Sequence, residues 1–213
     1  MYRIALFFLI FLAPVVSSAH QPVFPEPESS SDYVEINEPD ISHAFYGTLT
    51  GYPHTYQLVV TADESPVTLF AEVLVPDRED VTNDRSVIIV KEAQRGVSEV
   101  ARLRAREAGW ESFFEPFGAD RYRRGDSYET ELDTGVYLIE VSTPENQGPY
   151  VLVVGKREAF SIFDYPQLIV DMYRVKHWYG KSGWLVLQSP LVYVPLVLIV
   201  LVWGFIWYRR RYA

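Results

Sequence analysis

Between Trp110 and Tyr122 the sequence gathers the residue types that recognise sugars: Trp110, Phe113, Phe114 and Phe117, interleaved with Glu115 and Asp120 and followed by Tyr122. Aromatic faces stack on sugar rings while carboxylates accept hydrogen bonds from hydroxyls, so these seven residues form a candidate carbohydrate-binding surface. A second reading needs no ligand: a long loop at the end of a β-sandwich must be plugged, and bulky aromatics followed by Gly118 would plug it. Upstream, Asp77, Glu79, Asp80, Asn83 and Asp84 place five oxygen-bearing side chains within eight residues. Calcium takes about six to eight oxygens, which makes Asp77, Glu79, Asp80 and Asp84 candidate calcium ligands; no other cofactor is expected. The spacing is not that of an EF-hand loop, and Arg78 and Arg85 could neutralise part of the charge, so a solvated loop is the competing reading.

Catalytic chemistry has thinner support. There is no cysteine, which excludes thiol catalysis, disulfides and Cys-ligated metals. The four histidines are His20, His43, His54 and His177. If the strands around Phe45 and Leu58 pair as a hairpin, His43 and His54 fall at its opposite ends, about 20 Å apart, too far to share a zinc ion. No G-x-S-x-G, H-E-x-x-H, phosphate-loop or dinucleotide-binding pattern occurs, and the chain is not expected to be an enzyme. Arg3, Arg209, Arg210 and Arg211 lie in the terminal segments; between His20 and Ser189 stand 15 basic and 28 acidic residues, a net charge of −13. So acidic a surface repels nucleic acid and favours cations or basic partners.

The two ends decide where these residues are placed. Leu191 to Trp207 (LVYVPLVLIVLVWGFIW) is uncharged and closed by Arg209 to Arg211. At about 1.5 Å per residue it covers most of a ~30 Å hydrocarbon core, and its twelve Leu, Ile, Val and Phe residues favour insertion by about 4 to 7 kcal/mol. A transmembrane helix over residues 190–208 with a basic cytoplasmic tail, 209–213, follows. Residues 1–19 have the form of a signal peptide: one early Arg, an apolar run from Ile4 to Leu12, Pro14, then Ser17 and Ala19 ahead of a cut before His20. The middle of the chain is thereby expected outside the cytoplasm, with the positive residues inside.

Residues 20–40 carry four prolines, three consecutive serines and six acidic residues, and read as a mobile acidic leader up to about Tyr33. From Ile41 alternation takes over. Phe45, Gly47 and Leu49 share one face of a strand, and Tyr56, Leu58 and Val60 one face of the next, across the turn Thr50 to Pro53. Val67 to Val75 continues the pattern with Phe70 and Leu74 on the opposite face, as a central strand would. Val87 to Val90 follows; then Tyr128 to Leu132; and Val136 to Val141 with Tyr150 to Val154 as an expected last hairpin. Seven or eight short strands in 41–158 predict a mainly β fold, an antiparallel sandwich. Ser98 to Ala108 suits a helix by propensity and a strand by alternation (Ala101, Leu103 and Ala105 in; Arg102, Arg104 and Arg106 out). Residues 159–183 predict an amphipathic juxtamembrane helix capped by Asp164, with Tyr165, Leu168, Ile169, Met172, Tyr173 and Tyr179 at helical spacing. It would lie in the bilayer interface, beside Trp178 and the basic residues, or pack against the sandwich.

The order GTL (Gly47 to Leu49), HTYQLVV (His54 to Val60) and ELDTGVYLIEVSTPENQGPYVLVVG (Glu131 to Gly155) resembles pre-peptidase carboxy-terminal domains, the jelly-roll-like sandwiches appended to secreted bacterial enzymes. The resemblance covers about Ser42 to Gly155 and implies a strand for Ser98 to Ala108. The family usually has Asp where His54 stands, so a role for that carboxylate does not transfer. GWESFFEPFGADRYRRGDSY, PENQGPYVLVVGKREAF and the carboxy-terminal span together resemble an uncharacterised group of bacterial single-pass membrane proteins. The expected function is a membrane-anchored binding or scaffolding module for an envelope protein or polysaccharide. The alternatives are an accessory subunit of a membrane complex, contacting partners through its helices, and a calcium-dependent carbohydrate-recognition domain.

Overall fold

The computed structural model describes residues 20–104, 109–159 and 161–212. The expected signal peptide, Ala105, Arg106, Phe160 and Ala213 lie outside the described residues. Eleven strands are found among them: β1 (Gln21–Val23), β2 (Tyr33–Ile36), β3 (His43–Thr50), β4 (His54–Val60), β5 (Val67–Pro76), β6 (Ser86–Glu92), β7 (Val97–Leu103), β8 (Glu111–Glu115), β9 (Asp120–Leu132), β10 (Gly135–Ser142) and β11 (Gln147–Val154). They form a six-stranded sheet, β1-β3-β11-β5-β9-β8, and a five-stranded sheet, β2-β4-β10-β6-β7. Two helices follow, α1 (Tyr165–Trp178) and α2 (Pro190–Tyr212). The mainly β sandwich with a membrane-length carboxy-terminal helix is as the sequence predicts.

The pairings differ from the sequence expectation in three places. Neither β3–β4 nor β10–β11 is a hairpin, because each pair of consecutive strands belongs to opposite sheets. Alternation identifies which face of a strand turns inward but is blind to which strand lies beside it, and a short turn can cross between sheets as readily as reverse within one. The acidic leader is not wholly free: β1 runs parallel to β3, and β2 parallel to β4. Val34 and Ile36, two residues apart, supply the apolar side chains that seat β2, and Pro22 occupies an outermost strand, where proline is tolerated in a sheet. The third difference is β8–β9. The stretch read as a long loop is a hairpin whose second strand begins at Asp120, well before Tyr128.

Inward-facing residues form one core. Phe45 and Leu49, Tyr56, Leu58 and Val60, Leu69, Ala71 and Val73, Ile139 and Val141, and Leu152 and Val154 are all at most 3% exposed. Gly47 has a steric role there, since a Cβ would sit 2.4 Å from the Tyr150 ring. With that room the Tyr150 hydroxyl meets both His54 Nδ1, at 2.8 Å, and the Tyr56 hydroxyl, at 2.7 Å, so three buried polar groups satisfy one another. Residues 97–103 form a strand, with Leu103 buried and Arg102 and Arg104 exposed.

The outer face of the six-stranded sheet is also apolar over part of its area. Ala44, Tyr46, Leu74, Tyr122, Val151 and Val153 are buried there beneath Met172, Val175 and Tyr179. This is why β5 reads as apolar on both faces, and β11, its neighbour, is buried on both as well. Helix α1 therefore packs on the sandwich, the second of the two expected placements. Its buried stripe runs Leu168, Asp171, Met172, Val175, Lys176, rotated from the expected one, so that Tyr173 is 50% exposed. Asp164 precedes α1 without capping it through its side chain; its carboxylate accepts a hydrogen bond from the Ser161 backbone N–H at 2.8 Å. Helix α2 has 23 residues, a mean hydropathy of 2.3 over its most apolar window and no buried residue. It is long and apolar enough to cross a membrane, which supports single-pass anchoring.

Candidate functional site

The acidic loop between β5 and β6 does not converge on a cation site. Asp80 is held by both ends of the Arg78 guanidinium, Asp84 pairs with the buried Arg85 at 2.5 Å, and Asp77 lies 3.6 Å from Arg123, while Glu79 is exposed. Arg85 also donates to the Thr82 carbonyl at 2.7 Å and to the Gln147 carbonyl at 3.3 Å. Arginines thus organise this loop, and among the described residues no three His, Asp or Glu side chains cluster as metal ligands would.

The aromatic and acidic residues from Trp110 to Tyr122 are divided by the β8–β9 hairpin among three environments. Trp110 packs on the inner core. Phe117, Glu115, Asp120 and Tyr122 go under or beside α1, with Asp120 and Tyr122 at 0% and 2% exposure. Asp120 accepts from Lys176 Nζ at 2.8 Å and from Lys181 Nζ at 2.7 Å, and Lys176 also donates to the Gly118 carbonyl. Glu115 accepts from the Phe117 and Gly118 backbone N–H groups at 2.7 and 2.5 Å. Burial pushes the Glu115 carboxyl up to about 7, although those two donors and Lys176 pull the other way. The Ser189 hydroxyl donates to the Phe117 carbonyl at 2.6 Å, one residue before α2 begins. These side chains fasten the hairpin to the root of the span and are not presented to a ligand.

Phe113 and Phe114 have a different position. With Phe70, Glu72, Pro116, Arg124, Lys156, Gly155, Ser42 and His20 they line a cleft of about 650 Å³ on the outer face of the six-stranded sheet, in the part that α1 leaves uncovered. Three rings form its apolar walls, and two of them have a cation close over them: Arg124 lies 3.8 Å from the centre of Phe113 and Lys156 4.6 Å from that of Phe70. Glu72 faces Arg124 at 2.9 Å; burial raises the Glu72 carboxyl, and the charges of Arg124 and Lys156 oppose that rise. The His20 ring bonds Ser42, and burial together with the Arg124 charge pushes its pKa down to about 4. The contact ties the chain entering β1 to the residue before β3. The cleft offers what a hydroxyl-rich ligand needs: the half-exposed Phe114 ring as a stacking face, with donors and an acceptor beside it.

Of the seven residues expected at a ligand surface, Phe113 and Phe114 line this cleft and the other five do not. Its polar members, Glu72, Arg124, Lys156 and His20, were not anticipated. Glu72 was the detectable one, a lone carboxylate on the Phe70 and Leu74 face of an otherwise apolar strand.

No family model and no curated protein matches the chain. Among solved structures it is similar to the pre-peptidase C-terminal domain of a collagenase from Bacillus anthracis, at 14% identity and a TM-score of 0.37 over 61% of this chain and 97% of that one. It is also similar to the Yersinia pseudotuberculosis-derived mitogen, at 14% identity and a TM-score of 0.33 over 58% and 92% of the respective chains. A pre-peptidase C-terminal domain, the type whose strand cadence the sequence resembles, thus stands among the structural neighbours.

Proposed function

We propose that this protein is a membrane-anchored, extracytoplasmic binding module whose cleft beside Phe113 takes an envelope polysaccharide or a sugar-bearing envelope protein. One observation carries the reading: beside the part of the six-stranded sheet's outer face that α1 covers, this cleft gathers three phenylalanine rings and oriented charged groups where they remain accessible. Hydrophobic burial alone would favour closing it, and open aromatic surface edged by hydrogen-bonding groups suits saccharide binding. The test uses the full-length chain in nanodiscs on a glycan array, beside the Phe113→Ala/Phe114→Ala variant. Selective binding by the parent and at least a several-fold loss in the variant are expected. Equal binding by the two removes the cleft from the function, and capture of membrane proteins that survives the double substitution favours an accessory-subunit role through α2.

A further inference from the structure

Outside α2, and among the described residues, the most exposed large apolar side chains are Phe163, 88% exposed, and Trp184, 81% exposed; Leu187, close to Trp184 in the chain, is 49% exposed. Phe163 lies in the short 3-10 turn Ile162–Asp164 before α1, and Trp184 and Leu187 lie in the 3-10 turn Gly183–Gln188 after it. The second turn meets the root of α2 directly, and the first is tied to it through the residue that follows, Tyr165. The Tyr165 hydroxyl, at the start of α1, donates to the Leu191 carbonyl; the second turn runs directly into Ser189 and Pro190. Gly183 packs so tightly on the Tyr173 ring that a Cβ would sit 2.1 Å from it, which fixes the second turn against α1.

We infer that these two turns rest in the headgroup layer of the bilayer that α2 crosses, so that the sandwich lies on the membrane and does not stand off from it. The occupant follows from continuity with the span. From Ser182 to Tyr208 there is no charged residue, so the uncharged surface continues past the helix into the turn that carries Trp184. Twenty-three helical residues extend about 34 Å, slightly more than a hydrocarbon core. The uncharged part of α2, Pro190 to Tyr208, extends about 28 Å, so with Arg209 to Arg211 at one surface the turn just before Pro190 falls at the other interface, the depth at which Trp side chains are enriched. The opposite end repeats the arrangement with Trp207, Tyr208 and Arg209 to Arg211. Because α1 is fixed to the sheet through Lys176 and Asp120, contact at the two turns orients the whole sandwich.

The natural absence of cysteine permits a direct test. Phe163→Cys, Trp184→Cys and Leu187→Cys, each in the full-length chain, would carry a nitroxide label in phospholipid nanodiscs. Val97→Cys, on the exposed edge strand β7 at 58% exposure, is the aqueous control. The expected result is a several-fold lower collision rate with a water-soluble nickel chelate at positions 163, 184 and 187 than at 97, with high oxygen accessibility. Nickel access equal to that at position 97 overturns the inference. Shielding from nickel and oxygen alike also overturns it, because that pattern means a second copy or another protein covers the turns. Melting curves matching the parent establish that the labelled chains are folded, and three positions in one layer keep the result independent of any single substitution.

Discussion

The two faces of the six-stranded sheet are held by different physics. Against the five-stranded sheet the contact is almost wholly apolar, and the polar groups of the Tyr56–Tyr150–His54 network buried in it bond one another. Under α1 the apolar contact surrounds a buried ion pair: Lys176 and Asp120 are 1% and 0% exposed, with Lys181 at the rim and Glu115 nearby. Apolar burial holds surfaces together while tolerating small slips, whereas a desolvated ion pair is strongly unfavourable in any arrangement but the paired one. The inner face thus supplies adhesion, and the outer face specifies a single seat for the element leading into the membrane.

The severest way to break this comparison is to remove the roof. A chain ending at Glu158 uncovers Tyr46, Leu74, Val151 and Val153 and leaves Asp120 without either lysine. We expect it to aggregate or lose cooperative melting, and a monomer melting like the full chain in the same detergent would contradict the assignment. Lys176→Ala is expected to cost about 3 kcal/mol, the low end for breaking a buried pair, because Lys181 still reaches Asp120 from the rim. Lys176→Met combined with Asp120→Leu should return most of that loss in denaturant titrations, since the second substitution removes the buried carboxylate that Lys181 alone balances only from the rim. On the inner face Leu152→Ala, at a fully buried position, should cost about 2 to 5 kcal/mol. No second substitution at a single partner should rescue it, because its energy is spread over many neighbours.

A gentler probe is pH. The Glu115 carboxyl rises from 4.5 to about 7 on folding, so its contribution is complete below pH 4.5 and is lost as pH rises through 7. The His20 ring falls from 6.5 to about 4, so its contribution is complete above pH 6.5 and is lost as pH falls through 4. Each amounts to about 3 kcal/mol at most, with opposite signs in nearly the same window. Relative to the parent, Glu115→Gln should become more stable as pH rises from 5 to 8, and His20→Asn more stable as pH falls from 7 to 4. Parallel pH profiles for parent and variants would refute both assignments. The smallest effect concerns calcium. With Asp77, Asp80 and Asp84 engaged by arginines, millimolar calcium should leave the melting temperature unchanged, and a saturable rise of several degrees would show that those pairs give way to the ion.

Much of the sandwich was legible because alternation is a direct imprint of a two-faced strand: Phe45 and Leu49, Tyr56 to Val60, and Leu69 to Val73 each turn inward as their spacing requires. Double-sided burial of β5 was legible too, from Phe70 and Leu74. The cleft was half legible. Phe113 and Phe114 stood out by type, but Arg124 and Lys156 lie 11 and 43 residues beyond Phe113 in the chain. Only the pairing of β8 with β9 and β9 with β5 brings the first of them beside the aromatic walls. Lys176 left a trace, four residues after Met172 on the apolar stripe of α1, yet a charge there acquires meaning only when Asp120 faces it.

The chain by itself determined strand character, the side of each strand that turns inward, and a carboxy-terminal helix of membrane-spanning length. These depend on side-chain period and local composition, which neighbouring residues settle among themselves. Tertiary structure decided which sheet each strand joins, that residues of the proline-rich leader close both sheet edges, and that the amphipathic helix seats on protein. Those outcomes depend on the complementarity of surfaces distant in the chain, where one desolvated lysine must find its carboxylate 56 residues away.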